Sequence, residues 1–226
     1  MDKLSLLQSV PIFSDLSPAD LNKIAERMIQ RTYTKGQMIL LEDDSGQTFF
    51  VIAEGSVKIT RLSDDGREVI LAMLGESDFF GEMSLLDGAG RSANVVALES
   101  SEVLTLARND FLEILEEYPK ISISFLEELT QRIRKSDQQI ESLSLSDVEQ
   151  RIGITLIRLA EELGSIKHGT VKINNLPYQQ DIANMAGTSR ETVSRTFKLL
   201  EEKGLVAREG RKLTIYNFNQ FTKTFS

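Results

Sequence analysis

The spacing of apolar residues along the chain changes twice, and each change predicts a different kind of structure. Between about residues 17 and 28 apolar side chains recur at three- and four-residue intervals, which is the spacing of a helix. From about residue 33 short apolar, β-branched runs alternate with glycines roughly ten residues apart. Beyond residue 117 helical spacing returns, interrupted by short strand-like runs. The pattern therefore predicts an α+β chain, with strands in the first half and helices in the second.

The first helix has a clear start signal. Ser17 is a candidate N-cap, Pro18 suits the first helical position, and Asp20 suits the positive end of the helix dipole. Apolar residues follow at helical spacing: Leu21, Ile24, Ala25 and Met28.

The strand-like runs predict an all-β sandwich or barrel, because several short strands separated by regular turn signals are typical of such folds. The runs are QMILLE, TFFVIAEGSVKIT, EVILAML and SANVVALESSEVLTLA, and the intervening glycines are Gly36, Gly46, Gly55, Gly66 and Gly75. We attribute most of these glycines to turn chemistry alone.

One segment of this region, residues 79–99 (the cassette), carries candidate binding chemistry. A glycine-containing turn with Arg91 and Ser92 is suited to hold a phosphate, and Glu82 can accept hydrogen bonds from a sugar hydroxyl. Glu82 and Arg91 together therefore suit a sugar-phosphate ligand. The alternative is a Glu82–Arg91 salt bridge within a β-turn.

A heptad pattern follows in residues 124–150. The a and d positions of its heptads are Leu126, Leu129, Ile133, Ser136, Ile140 and Leu143. Apolar residues at the a and d positions of a heptad indicate a coiled coil, and hence a homodimer through this helix. We call these six residues the seam. The alternative is a single amphipathic helix packed on its own domain. Ser136 is the polar residue in the seam, where it sets register or contacts a ligand.

The C-terminal part predicts a winged helix-turn-helix. An amphipathic helix ends at Gly164, GTVKINNL predicts a short strand, and two further helices are broken at Gly187. Ala183, Gly187 and Val193 fill the small, turn and packing positions of a helix-turn-helix. Residues 205–218 predict a hairpin with a basic turn at Arg211-Lys212, which is the wing.

The second of these helices presents a face suited to reading DNA. Ser189 is its predicted cap, and Arg190, Glu191 and Arg195 lie near its start (the reading face). Arginine binds guanine O6 and N7, and glutamate accepts from cytosine N4. Residues suited to phosphates are Ser189, Thr192 and Lys198, with Tyr178 and Gln180 on the preceding helix. The alternative is an ordinary helix pair with salt bridges such as Glu191–Arg195.

Charge and composition exclude several classes of function. The formal charge is −11 over residues 1–145 and +3 over residues 146–226. Salt screens the acidic part beyond a Debye length of about 8 Å, so local DNA contacts remain feasible. The chain has no cysteine and a single histidine, His168, expected on the surface. These features exclude disulfides, iron–sulfur clusters and thiol catalysis, and we expect no enzyme, no metal site, no membrane span and a cytoplasmic location.

The motifs together resemble the Crp/Fnr superfamily of bacterial transcription regulators over essentially the entire chain. Phe80-Gly81-Glu82, Leu85 and Arg91-Ser92-Ala93 match the phosphate-binding cassette of cyclic-nucleotide-binding domains, and TSRETVSR resembles the family's recognition helix. The resemblance implies a jelly-roll effector domain over residues 1–117, a dimerisation helix over 118–146 and a winged helix-turn-helix over 147–226. It also implies TGTGA-type inverted repeats as the DNA target and RNA polymerase as the protein partner.

The resemblance further assigns effector contacts. Glu82 would hold the ribose hydroxyl, Arg91 the cyclic phosphate with help from Ser92 and Gly81, and Ser136 the base. Asp137 departs from the cyclic-AMP-responsive pattern, which has a second hydroxyl there. Cyclic AMP or cyclic GMP is the candidate effector. Two alternatives stay open: a DNA-binding activator with an empty pocket, and a nucleotide-binding control module that acts on a protein partner.

Overall fold

The computed structural model describes residues 3–225. They form two compact units that divide between Arg134 and Lys135. The first unit begins with α1 (Lys3–Ser9), a 3₁₀ turn (Pro11–Phe13) and α2 (Pro18–Arg27). Ser17 caps α2 as predicted, because its Oγ accepts from the backbone N–H of Asp20 at 3.2 Å. Helix α1 has no counterpart in the sequence prediction.

Eight strands of the first unit form two four-stranded antiparallel sheets, so the predicted sandwich is confirmed. The strands are β1 (Ile29–Tyr33), β2 (Met38–Leu40), β3 (Thr48–Glu54), β4 (Val57–Leu62), β5 (Glu68–Leu74), β6 (Phe79–Phe80), β7 (Asn94–Ala97) and β8 (Ser101–Ala107). One sheet has the order β1-β8-β3-β6 and the other β2-β7-β4-β5.

Strand β3 shows how this unit is held together. Its side chains alternate between two apolar clusters, as the pleat of a strand requires. Phe50 and Ile52 join residues of the second sheet such as Val57 and Val95. Phe49 and Val51 face the helices and contribute to a larger cluster. The first unit is therefore a sandwich with a helical layer on one side.

The remaining helices of this unit are α3 (Met83–Asp87), α4 (Arg108–Glu117) and the start of α5 (Pro119–Leu145). Helix α5 is the predicted long helix. Its first turns are anchored by Ile121 and Phe125, which are buried in the larger cluster.

The second unit has the topology of a winged helix-turn-helix. Its helices are α6 (Val148–Leu163), α7 (Gln179–Ala186), α8 (Arg190–Glu202) and α9 (Phe218–Phe225), and its strands are β9 (Ser165–Lys167), β10 (Thr170–Ile173), β11 (Val206–Glu209) and β12 (Lys212–Ile215). The four strands form one sheet in the order β11-β12-β10-β9. Among the described helices, none is both long and apolar enough to cross a membrane.

Candidate functional site

The cassette is a strand, a short helix and a returning loop. After β6 the backbone turns at Gly81, Glu82 occupies the N-cap position of α3, and Gly88 ends α3 in the left-handed conformation. The chain then returns through Arg91 and Ser92 into β7. Gly81, Glu82, Arg91 and Ser92, predicted as effector contacts, therefore belong to one continuous loop around α3.

Arg91 is engaged with the protein itself. The residue is only 5% exposed, and its Nη1 donates to Gly81 O at 2.7 Å and to Ser84 Oγ at 2.9 Å. Its Nη2 donates to Thr48 O at 2.9 Å. Burial lowers the pKa of Arg91, while the negative charge of Glu82 acts in the opposite direction. The guanidinium therefore joins the two ends of the cassette to β3.

A close approach at Gly46 makes this arrangement possible. A Cβ at that position would overlap Ser84 Oγ and lie 2.5 Å from Arg91 Nε. Gly46 is thus required for space around the buried guanidinium, whereas the sequence suggested only a turn. The sequence signal for this role is weak, because nothing near Gly46 in the chain identifies the distant arginine that it accommodates.

Glu82 pairs with Arg132 of helix α5. The Glu82 side chain is buried, and its Oε1 accepts from Arg132 Nη1 at 3.0 Å. Arg132 also donates to Phe79 O at 2.7 Å, and its guanidinium lies 4.3 Å from the centre of the Phe79 ring. The structure therefore shows a Glu82–Arg132 pair in place of the alternative Glu82–Arg91 salt bridge.

Arg132 is the residue of this site that the sequence analysis missed. It lies four residues before Ser136, so the two positions share one face of a helix. The four-residue spacing between Arg132 and Ser136 was the sequence signal that could have pointed to Arg132. The remaining predicted effector residues are exposed: Ser92 Oγ donates to Met83 Sδ at 3.4 Å, and Ser136 and Asp137 lie on the exposed part of α5.

The seam residues divide between two environments. Leu126, Ile133 and Ile140 are each more than 60% exposed, which is unusual for aliphatic side chains on one helix. Leu129 instead packs against the larger apolar cluster of the first unit. Leu126, Ile133 and Ile140 therefore form an exposed apolar stripe, and the heptad interpretation stays a prediction. Leu129 also contributes to the core of its own unit.

The helix-turn-helix is built as the sequence predicts. Ala183 and Val193 are fully buried, and Gly187 ends α7 with φ +59°, a left-handed conformation that favours glycine. Ser189 caps α8 by accepting from the backbone N–H of Thr192 at 3.2 Å. These contacts fix the start of α8, where the reading face lies.

All three side chains of the reading face are exposed. Arg195 Nη2 donates to Thr192 Oγ1 of the same helix at 3.3 Å. The pKa of Glu191 is lowered, first by its own backbone N–H and then by the Ser189 hydroxyl. The carboxylate therefore stays ionised and remains an acceptor, while the arginines present donors beside it.

The residues predicted to contact phosphates surround this face. Lys198 is exposed and pairs only loosely with Glu202, at 3.9 Å. Tyr178 is half-exposed at the N-cap position of α7, and Gln180 donates to Asn184 Oδ1 at 2.9 Å. Arg211 of the wing lies 4.7 Å from the centre of the Tyr178 ring and donates to Leu176 O. It thus joins the wing to the start of α7.

Two further sequence predictions concern the single histidine and the residues that could bind a metal. His168 lies exposed in the turn between β9 and β10, as expected, with φ +50°. Within residues 3–225 no group of three acidic or histidine side chains is arranged to hold a metal ion.

Comparisons with known proteins agree with this geometry. The family model of the cyclic nucleotide-binding domain matches residues 30–118, and the model of the Crp-like helix-turn-helix domain matches residues 150–223. The "Cyclic AMP receptor protein" of Thermus thermophilus is 34% identical over 88% of this chain and 89% of its own length. The "cAMP-activated global transcriptional regulator Vfr" of Pseudomonas aeruginosa is 33% identical over 87% and 93%. The structure of FixK2 from Bradyrhizobium japonicum, at 20% identity, shares the fold with a TM-score of 0.78 over 88% of this chain and 98% of its own.

Proposed function

The chain belongs to the Crp/Fnr family of DNA-binding transcription regulators, and we propose that it reads TGTGA-type inverted repeats as a homodimer under the control of a small effector. The observation that supports this DNA target is the exposure of the reading face. Arg190, Glu191 and Arg195 are all exposed at the start of α8, where a recognition helix contacts base edges. Two arginines and a glutamate supply the donors and the acceptor that G·C pairs require.

The exposed stripe of α5 supports the homodimer. Leu126, Ile133 and Ile140 leave most of their apolar surface in water in the single chain. Burying such surface against a second copy of the same helix is favourable, by about 25 cal/mol per Å². Two copies would place the two reading faces about 34 Å apart, one turn of DNA, to match the two halves of an inverted repeat.

The effector is proposed to be a cyclic nucleotide. The cassette brings the glycine turn, Glu82, Arg91 and Ser92 into one loop, and both curated relatives described above are named for cyclic AMP. A sugar hydroxyl would pair with Glu82 and a phosphate with Arg91, with Ser136 and Asp137 facing the base. We propose RNA polymerase as the protein partner and the cytoplasm as the location, on the resemblance to the family.

A second candidate, a DNA-binding regulator that needs no effector, has one observation in its favour. Arg91 donates to two backbone carbonyls and a serine, and Glu82 is paired with Arg132. Among the described residues, no buried side-chain nitrogen or oxygen lacks a hydrogen-bond partner. A ligand would therefore exchange existing hydrogen bonds for new ones, and its net gain would be small.

Binding measurements separate these candidates. We would follow fluorescence anisotropy of a labelled duplex with TGTGA and TCACA half-sites about six base pairs apart, with and without cyclic AMP and cyclic GMP at fixed salt. Tightening by a nucleotide supports the gated regulator. Equal, specific binding without nucleotide supports the effector-independent candidate.

The third possibility, a nucleotide-binding module that acts only on a protein, would not need the reading face. Arg190→Ala should then leave every DNA measurement unchanged. Failure of the wild-type chain to prefer the TGTGA duplex over a random duplex of equal length would contradict our proposal for the target.

A further inference from the structure

The side chain of Arg151, in the first turn of α6, binds three backbone carbonyls from two separate segments. Its Nε donates to Ala186 O at 2.9 Å and its Nη2 to Gly187 O at 3.4 Å. Its Nη1 donates to Ser146 O at 3.1 Å. Ala186 and Gly187 form the end of α7 and the turn before α8, and Ser146 lies between α5 and α6. One guanidinium thus joins the inter-helix linker to the helix-turn-helix turn.

The chemistry of these carbonyls suits an arginine in particular. The last carbonyls of a helix have no partner within the helix and carry the negative end of its dipole. A planar guanidinium can donate in several fixed directions at once, whereas a lysine ammonium is a compact charge on a flexible stem. Arg151 therefore fixes where these carbonyls point, and with them the direction in which the chain leaves α7.

Other contacts converge on the same turn and helix. Leu143 of the seam has its Cδ2 close to Gly187, since a Cβ on that glycine would lie only 3.1 Å away. At the far end of α8, Lys203 pairs with Glu149 of α6 at 3.2 Å. The start of α6 therefore contacts both the turn before α8 and the residue that follows α8.

The last turns of α5 run alongside α6, which extends this connection toward the seam. Gln139 Oε1 accepts from Arg158 Nη1 at 3.4 Å, and Lys135 lies 3.8 Å from Glu162. Ser146, bound by Arg151, is the point at which the chain reverses between the two helices.

We propose that Arg151 is a positioning residue for DNA recognition. It sets the orientation of α8 relative to the end of α5, and so sets the separation of the two reading faces in the homodimer. The side chain acts through α8, since its donors are directed to the carbonyls of Ser146, Ala186 and Gly187. This inference rests on the proposed function, because only a dimer on an inverted repeat has a separation to set.

The test is the dependence of binding on half-site spacing. Full-length wild type, Arg151→Lys and the control Arg158→Lys would be titrated with duplexes whose half-sites are about four to eight base pairs apart. The control changes an arginine of the same helix whose Nη1 donates to Gln139 of α5 and whose side chain is not hydrogen-bonded to the turn before α8. Wild type and Arg158→Lys should share one preferred spacing. Arg151→Lys should bind that duplex about tenfold more weakly and the others with little change.

A purely structural role predicts a different result, since a partly unfolded variant loses affinity equally for every spacing. Equal loss across the series, or no loss at all, would overturn the proposal. Amide exchange measured by mass spectrometry supplies a readout that needs no DNA. Arg151→Lys should speed exchange in residues 184–190 and leave residues 206–215 unchanged.

The two readouts also separate this inference from the proposed function. A wild type with no preference for any TGTGA duplex would remove the function, and with it the role of Arg151 in DNA recognition. Unchanged exchange in residues 184–190 would show that Arg151 does not hold the turn, whatever DNA the protein binds.

Discussion

The cassette and the reading face use the same residue types in opposite ways. In the cassette, Arg91 is 5% exposed and Glu82 is 4% exposed, and both are bound to groups of the protein. On the reading face, Arg190, Glu191 and Arg195 are exposed. A motif thus identifies which charges are present, and the fold decides whether they are available to a ligand or already used to hold the domain together.

This difference has an energetic consequence. Removing a buried charged donor leaves its acceptors without partners, which costs stability, whereas an exposed side chain is replaced by water with little loss. We therefore expect substitutions in the cassette to change stability and those on the reading face to change DNA binding alone.

The largest expected effect is that of Arg91→Met. It removes the donors to Gly81 O, Thr48 O and Ser84 Oγ. We expect the free energy of unfolding of the first unit to fall by about 3 kcal/mol, because buried carbonyls lose charged donors. Amide exchange of β3 and β8 in urea would measure this unit separately. If a nucleotide binds here, its effect on DNA affinity should disappear as well.

The control is Arg61→Met, since Arg61 is 60% exposed and pairs with Glu42 at the surface. It should cost less than about 1 kcal/mol. Similar losses for the two variants would contradict the contrast between buried and exposed charges.

The next effect is that of Arg190→Ala, on DNA binding alone. The variant should lose about 1–3 kcal/mol of binding free energy on the TGTGA duplex and discriminate less at one base pair. Its free energy of unfolding should match that of wild type, because the side chain is exposed. Anisotropy on specific and random duplexes and urea unfolding would measure both quantities.

Lys198→Ala is the matched control on the same helix. A phosphate contact carries no sequence information, so this variant should weaken binding equally on specific and random duplexes and lower the salt dependence. The same uniform pattern in Arg190→Ala would show that Arg190 reads no base.

Most elements could be predicted because their signals are local. The cap at Ser17, the turn at Gly187 and the cap at Ser189 act within a few residues, and the structure shows each of them. The strands β1 and β9 were missed because their residues are almost all exposed and show no apolar alternation. Their conformation depends on pairing with β8 and β10, which a sequence pattern does not reveal.

The site was predictable to a similar extent. The sequence identified the residue types of both clusters, and for the reading face exposure follows from the helix itself. In the cassette, one partner of Arg91, Thr48, and the partner of Glu82, Arg132, lie more than forty residues away in the chain. Such contacts arise from tertiary packing, so Gly46 and Arg132 could not be assigned their roles from spacing alone.

A smaller effect should distinguish the Glu82–Arg132 pair from surface pairs. In a double-mutant cycle with Glu82→Gln and Arg132→Met, we expect a coupling energy of about 1 kcal/mol, because one partner is buried. The exposed Lys198–Glu202 pair of α8 should give less than about 0.5 kcal/mol. Urea unfolding followed by amide exchange would supply the free energies. Equal coupling in the two cycles would mean that burial adds nothing to the cassette pair.

The smallest expected effect concerns pH. The sequence preference of the reading face should not depend on it over the range tested. The pKa of Glu191 is lowered by its own backbone N–H and by Ser189. A contribution that needs the ionised carboxylate is therefore present above the ordinary pKa of glutamate and disappears only as the pH falls through the lowered value. Sequence preference should stay constant between about pH 7.5 and pH 5.5, in contrast to Glu191→Gln, which should lose it throughout.

His168 is the only histidine of the chain, so His168→Gln is the control for any change observed. A loss of preference in wild type that His168→Gln abolishes would originate at the β9–β10 turn and leave Glu191 unaffected. A loss that persists in His168→Gln would mean that Glu191 takes up a proton in this range. The contrast between the two regions would then fail at that residue.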